Sequence, residues 1–173
     1  MQLSNRIDLA KFFAKQGFTY GAEVGVYKGE YAQILFENIP RLKLLCIDSW
    51  AQGRRIPAKQ ETLARTNMYN ASILHTTSLK AAKTIPDGSL DFVFIDAGHS
   101  YEDVKDDINA WTPKVRKGGI VSGHDYYFGK SGKMGVIPAV NEFIAEHDYA
   151  LHIIPWDKSQ STDNRQPCWW FLR

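Results

Sequence analysis

The sequence has little cysteine, no sustained charge of one sign and no hydrophobic run long enough to cross a bilayer, and each shortage excludes a class of function. Its 173 residues contain two cysteines, Cys46 and Cys168, both inside apolar strand-like runs, the setting of buried free thiols and not of a disulfide framework. The 21 basic and 19 acidic residues leave a formal net charge of +2. Because they are interleaved, they make no field extensive enough to hold nucleic acid, although a small anionic ligand remains open. The amino terminus, MQLSNRIDLAKFFAKQG, is broken by Arg6, Asp8, Lys11 and Lys15, so it lacks the apolar core of a signal peptide. No other stretch approaches membrane-spanning length. These absences predict a cytoplasmic protein without membrane or nucleic-acid partners. Hydrophobic residues fill 44% of positions and charged ones 23%, which suits one globular domain over 1–173 with a real core.

What is present is alternation. Apolar runs of strand length fall at 20–26, 42–48, 72–76, 90–96, 120–123, 150–155 and 167–172, seven in all. Segments with helical spacing separate the first six. In the clearest, Tyr101, Val104, Ile108 and Trp111 share a face while Asp103, Lys105 and Asp106 face water, and Ser100 with Asp103 supplies a capping box. A second places Val136, Val140, Phe143, Ile144 and His147 on one side. Strand alternating with helix predicts a doubly wound, Rossmann-like α/β fold: a seven-stranded, mostly parallel sheet with helices on both faces. The loop at 157–166 is polar and turn-rich without helical period, so the last two strands should form a terminal antiparallel pair.

In such sheets ligands bind beyond the carboxyl ends of the strands, where strand order reverses. The first strand-to-helix turn reads AEVGVYKGEYA, with Glu23 and Gly25 at the strand end and Gly29 opening a helix. That spacing departs from the GxGxxG of dinucleotide-binding proteins, so a pyrophosphate cradle has little support. An acidic residue, a glycine and a second glycine four positions on instead resemble the first motif of class I S-adenosylmethionine-dependent methyltransferases, a resemblance that extends over nearly the whole chain. It implies that Gly25 and Gly29 let the backbone approach the methionine portion of the cofactor, and that Glu23 orients its ammonium group. Read from the residues alone, Gly25 makes a tight turn.

The second strand ends in CIDSW. The resemblance implies that Asp48 accepts both ribose hydroxyls, with Ser49 and Trp50 beside it in the cofactor pocket. Trp50 either packs on the adenine, walls the substrate side, or is an outer core residue. After the third strand, Thr77 and Ser78 lie where relatives hydrogen-bond the adenine edge, and Ser78 before LKAAK also reads as a helix N-cap.

The segments DFVFIDAGHSYEDVKDDINAW and GGIVSGHDYY place Asp96, His99, His124 and Asp125 just past the ends of two adjacent strands, which gathers oxygen and nitrogen donors over one point. The pattern resembles metal-dependent O-methyltransferases of the catechol and macrolide-sugar type, where an Asp after the fourth strand and an acidic pair after the fifth hold a divalent cation. Asp96 and Asp125 match. His124 replaces a carboxylate, which shifts the expected metal from Mg2+ toward Mn2+ or iron and leaves open that no metal binds. The resemblance also makes His99 the base, aided by an imidazole pKa near ~6.5, with Asp96 beside it. The structural alternative is that His99 and Ser100 cap the next helix and that His124 and Asp125 end a strand in a turn. His75, His147 and His152 read as structural.

Two loops, 49–57 and 126–135, should flank the pocket, bringing Arg54, Arg55, Lys130 and Lys133 together with Tyr126, Tyr127 and Phe128. They suggest a lid over a small-molecule acceptor with an aromatic or sugar ring and an anionic group. Ile7, Leu9, Phe12 and Phe13 read as core or as the interface of a homodimer. The expected function is therefore transfer of a methyl group from S-adenosylmethionine to an acceptor hydroxyl. The alternatives are a non-catalytic S-adenosylmethionine or nucleotide-binding module and a nicotinamide-dependent oxidoreductase.

Overall fold

The structure, a computed structural model, describes residues 3–51, 55–129 (Arg55 in its backbone only), 135–160 and 164–173. Asn5 starts the first helix, its side chain accepting the N–H groups of Ile7 and Asp8, and α1 runs Arg6–Lys15. Then follow β1 (Tyr20–Val24), α2 (Glu30–Asn38), β2 (Lys43–Asp48), α3 (Arg55–Thr66), β3 (Asn70–His75) and α4 (Ser78–Ala82). The second half holds β4 (Leu90–Ile95), α5 (Tyr101–Trp111), β5 (Val115–Gly123), α6 (Val136–His147), β6 (His152–Ile154) and β7 (Cys168–Leu172).

The seven strands form one sheet in the order β3-β2-β1-β4-β5-β7-β6. β1, β2 and β4 are almost wholly apolar because both their faces are covered. On one face Ala22, Val24, Val93 and Ile95 meet Val104, Ile108 and Trp111 of α5 and Val140 and Phe143 of α6. On the other, Leu44, Cys46, Phe92 and Phe94 meet Leu9 and Phe13 of α1 and Leu35 of α2. Leu9 and Phe13 are thus core residues; Phe13 stacks on Phe92 with centroids 4.4 Å apart, and burial of such a side chain contributes about 2–3 kcal/mol. Phe12 packs against Trp170. Cys46 and Cys168 are buried free thiols, and no helix among the described residues is long and apolar enough to cross a membrane.

The architecture is the expected Rossmann-like one, with differences at strand ends. β1 stops at Val24, two residues before the expected end, because Gly25 turns away with φ +93°. β5 begins five residues early: its pairing with β4 jumps from Leu90↔Val115 to Phe92↔Ile120, and the intervening bulge erases the alternation that marks a strand. β7 is antiparallel to both β5 and β6 and lies between them, leaving β6 at the edge. Order along the sheet reverses between β1 and β4, which opens a crevice at their carboxyl ends.

Candidate functional site

A cavity of about 820 Å³ fills that crevice, within the range of roughly 300–1,000 Å³ usual for small-molecule sites. Glu23, Gly25, Asp48, Ser49 and Ser78 line it, and so do Asp96, His99, His124 and Asp125. Gly29 and Trp50 do not, so two of the expected cofactor contacts fall outside its wall.

At the end of β1, Glu23 is 2% exposed, and its Oε2 has no hydrogen-bond partner among the described residues. Burial pushes its carboxyl well above the usual range; Arg6 opposes this, and Asp96 and Asp48 reinforce it. A buried acidic group left so is costly unless something positive completes it. The glycines answer nearer neighbours than a ligand. A Cβ on Gly25 would lie 2.1 Å from the Asp96 carbonyl oxygen, and one on Gly29 3.1 Å from Cα of Thr62 in α3. Both positions also have positive φ, +93° and +75°, where side chains are strained.

Asp48 closes β2 with its carboxylate fixed: Oδ2 accepts the Tyr27 N–H at 2.9 Å and Oδ1 the Trp50 N–H at 2.7 Å. Each oxygen keeps a lone pair for a hydroxyl in the cavity. Trp50 turns inward, 3% exposed, and donates its indole N–H to the Tyr27 carbonyl at 2.9 Å; it ties two loops together, which favours the outer-core reading over a place against adenine or substrate. His75 is structural as expected, its Nε2 2.9 Å from the Ser49 carbonyl and its Nδ1 2.9 Å from Lys59 Nζ.

Ser78 is not a helix cap. Thr77 occupies that position, while the Ser78 hydroxyl donates to Asp107 and accepts the Trp111 indole N–H at 2.8 Å. Asp107 also lines the cavity and was missed by sequence reasoning. Its signal was available: positions 104, 107, 108 and 111 share one helical face, so a carboxylate stands among apolar residues. Asp103 and Asp106, read as facing water, reach the cavity too. Ser100 accepts the Asp103 N–H as expected, but the Asp103 carboxylate takes the Ser100 hydroxyl instead of its backbone N–H.

At the ends of β4 and β5, Asp96, His124 and Asp125 each present one atom that could ligate a metal, all within 4.8 Å of one another. His124 Nδ1 is 3.5 Å from Asp96 and 3.3 Å from Asp125. His99 reaches the same point from the start of α5, its Nε2 2.8 Å from Asp125 Oδ2 and 3.5 Å from Asp96 Oδ1. Burial works to raise the Asp96 carboxyl, but His124, His99 and Arg6 outweigh it and hold the group below the usual carboxylate range. The Asp125 carboxylate, then Asp96, push His99 up to about 10 against the opposing effect of burial. His99 is therefore no ordinary imidazole near ~6.5: its carboxylate neighbours stabilise its charged form.

Arg6 is the other residue that sequence reasoning missed, because its only local mark was a charge in an amphipathic helix. Its side chain is 6% exposed, with Nη1 4.0 Å from Asp96 Oδ2. Of the expected lid, Arg54, Lys130, Lys133 and the Arg55 side chain lie outside the described residues. Tyr126 donates its hydroxyl to Asn141 at 2.7 Å, Tyr127 packs on Trp156 at 5.0 Å, and Phe128 is 78% exposed.

A family model described as a methyltransferase domain matches residues 22–126, a span that runs from β1 to just beyond β5. An uncharacterized protein of Acanthamoeba polyphaga mimivirus is 27% identical over 146 residues, which is 80% of this chain and 65% of that protein; the chain thus spans just under two-thirds of that relative's length. A candidate caffeoyl-CoA O-methyltransferase from Staphylococcus aureus superposes with a TM-score of 0.74 at 16% identity, over 97% of this chain and 83% of that one. An O-methyltransferase from Bacillus cereus, solved in complex with SAH, gives 0.69 at 13% identity, over 97% and 80%. At these identities the solved structures show the shared fold.

Proposed function

Since the chain belongs to the methyltransferase-domain family whose model covers residues 22–126, we propose that it transfers the methyl group of S-adenosylmethionine to a hydroxyl of a small acceptor. One observation carries the reading. The same cavity holds a buried carboxyl with an unpartnered oxygen, Glu23, and a second carboxylate, Asp48, pinned by two backbone N–H groups. An ammonium completes the first, and two vicinal ribose hydroxyls suit the second.

When bound, the cofactor supplies an electrophilic methyl on a sulfonium. Glu23 holds the ammonium, Asp48 and Ser49 hold the ribose, and Ser78 faces the adenine edge. With its proton given to Asp107, Ser78 can offer adenine only a lone pair. His99, pushed up to about 10, is charged at neutral pH, so it takes the proton of the acceptor hydroxyl only in its neutral form, whose share grows as pH rises toward that value. Asp125 and Asp96 then stabilise the imidazolium formed. Asp96, His124 and Asp125 would hold a divalent cation, and the mixed imidazole and carboxylate set suits Mn2+ as well as Mg2+; such a cation supplies Lewis acidity to an acceptor oxygen. Two buried thiols without a disulfide suit the cytoplasm.

Calorimetric titration with S-adenosylmethionine, on the wild type and Asp48→Ala, tests the reading. Saturable binding that weakens by about tenfold or more in the variant is expected, the scale of hydrogen bonds to a charged group. A wild type that does not bind, or a variant that binds equally well, refutes it.

A further inference from the structure

The cavity wall holds a second charged group that suits an amino acid, Arg6. Arg6 lies beside Glu23; its guanidinium is held by two contacts and its backbone by a third. Nε donates to Asn164 Oδ1 at 2.7 Å, the plane sits over the Tyr31 ring at 5.0 Å, and the Tyr31 hydroxyl binds the Arg6 carbonyl at 3.1 Å. The helix end that carries it is tied down as well, because Asn5 Nδ2 donates to Asp157 Oδ2 at 2.8 Å. Its two terminal nitrogens make no hydrogen bond to another described residue; the nearest acid among the described residues, Asp96, is 4.0 Å away, beyond hydrogen-bond length. A guanidinium buried on its side chain, locked in orientation and still offering a two-pronged donor to a cavity is built for a carboxylate.

We propose that Arg6 binds the α-carboxylate of S-adenosylmethionine while Glu23 binds its α-ammonium, so that the two residues together recognise the amino-acid end of the cofactor. The assignment rests on the proposed cofactor. Its rival is that Arg6 only offsets the charge of Glu23 and Asp96, and the two accounts differ in what they predict for a ligand without a carboxylate. Decarboxylated S-adenosylmethionine is that ligand: it keeps the adenosine, the sulfonium and the ammonium.

Calorimetric titration of the whole chain with both compounds is the test, on the wild type, Arg6→Ala and Arg6→Lys. The wild type should prefer S-adenosylmethionine by about tenfold or more. Arg6→Ala should abolish that preference by weakening S-adenosylmethionine alone; affinity for the decarboxylated compound should hold or rise, since a cation has been removed near a ligand with two positive charges. Arg6→Lys keeps the charge without the fork and should recover only part of the preference. A wild type that binds both compounds equally, or a preference that survives Arg6→Ala, overturns the assignment but leaves the cofactor reading standing. Failure of the wild type to bind either compound overturns both. If Arg6→Ala does not fold, the wild-type comparison and Arg6→Lys decide the matter.

Discussion

Asp107→Asn should stabilise the protein above pH 6 and leave it nearly unchanged near pH 4. Asp107 is 4% exposed, on the face of α5 that carries Val104, Ile108 and Trp111 into the core. Burial pushes its carboxyl from the ordinary 3.8 to about 6; the Ser78 hydroxyl opposes the rise, and the charges of Asp103 and Asp106 add to it. Between these two values the folded protein keeps a proton that the unfolded chain has released. Stability therefore falls as pH climbs through the window, and above about 6 the loss is complete. A shift of roughly two units corresponds to at most about 3 kcal/mol. Asparagine has nearly the same shape, still accepts from Ser78 and carries no charge. Urea unfolding at pH 4.5, 6 and 8 gives the answer directly. The variant's midpoint should exceed that of the wild type by roughly 1 M at pH 8 with an unchanged slope, and the gap should close toward pH 4.5. An offset that is the same at every pH, or no gain at pH 8, would refute the claim that an ionised carboxylate is being forced into the core.

Gly25→Ala combines strain at φ +93° with a Cβ 2.1 Å from the Asp96 carbonyl oxygen, and each effect costs about 1–3 kcal/mol. Gly88→Ala is the control, since φ is +68° there with nothing within 4 Å. Thermal melting should show a loss several degrees larger for Gly25→Ala, and equal losses would show that β1 and β4 are not in forced contact at that point. Mn2+ at about a hundred times its dissociation constant should stabilise the wild type by about 2.7 kcal/mol. The melting temperature of Asp125→Asn should rise much less, and an equal rise would remove Asp125 as a ligand.

Most of the fold was legible because its signals are local. Runs such as LDFVFI announce a strand covered on both faces, and the spacing of Val104, Ile108 and Trp111 announces a helix with one buried side. The start of β5 was hidden because a bulge over 116–119 breaks the strand period, and the place of β7 between β5 and β6 depends on pairing across sequence distance, which no local pattern encodes. The place of Asp48, Asp96 and Asp125 in the cavity wall was legible because strand ends next to a switch point are where an α/β sheet presents side chains. Trp50 stayed open in the sequence because whether an aromatic at a loop faces a ligand or the interior is set by what lies behind it, here Tyr27 and His75.

By itself the sequence determined the alternation of strands and helices, and with it a parallel sheet whose carboxyl edge carries acidic residues, since periodicity and turn chemistry act over a few neighbouring residues. Tertiary structure alone decided what those acids experience. It brings Arg6 from α1, held in part by Asn164 from the loop before β7, against Glu23 and Asp96, and it sets His99 between two carboxylates. Burial and charge interactions depend on distances through space, so the proton affinity of His99, the unpartnered oxygen of Glu23 and the open fork of Arg6 arise only when the chain has closed around them.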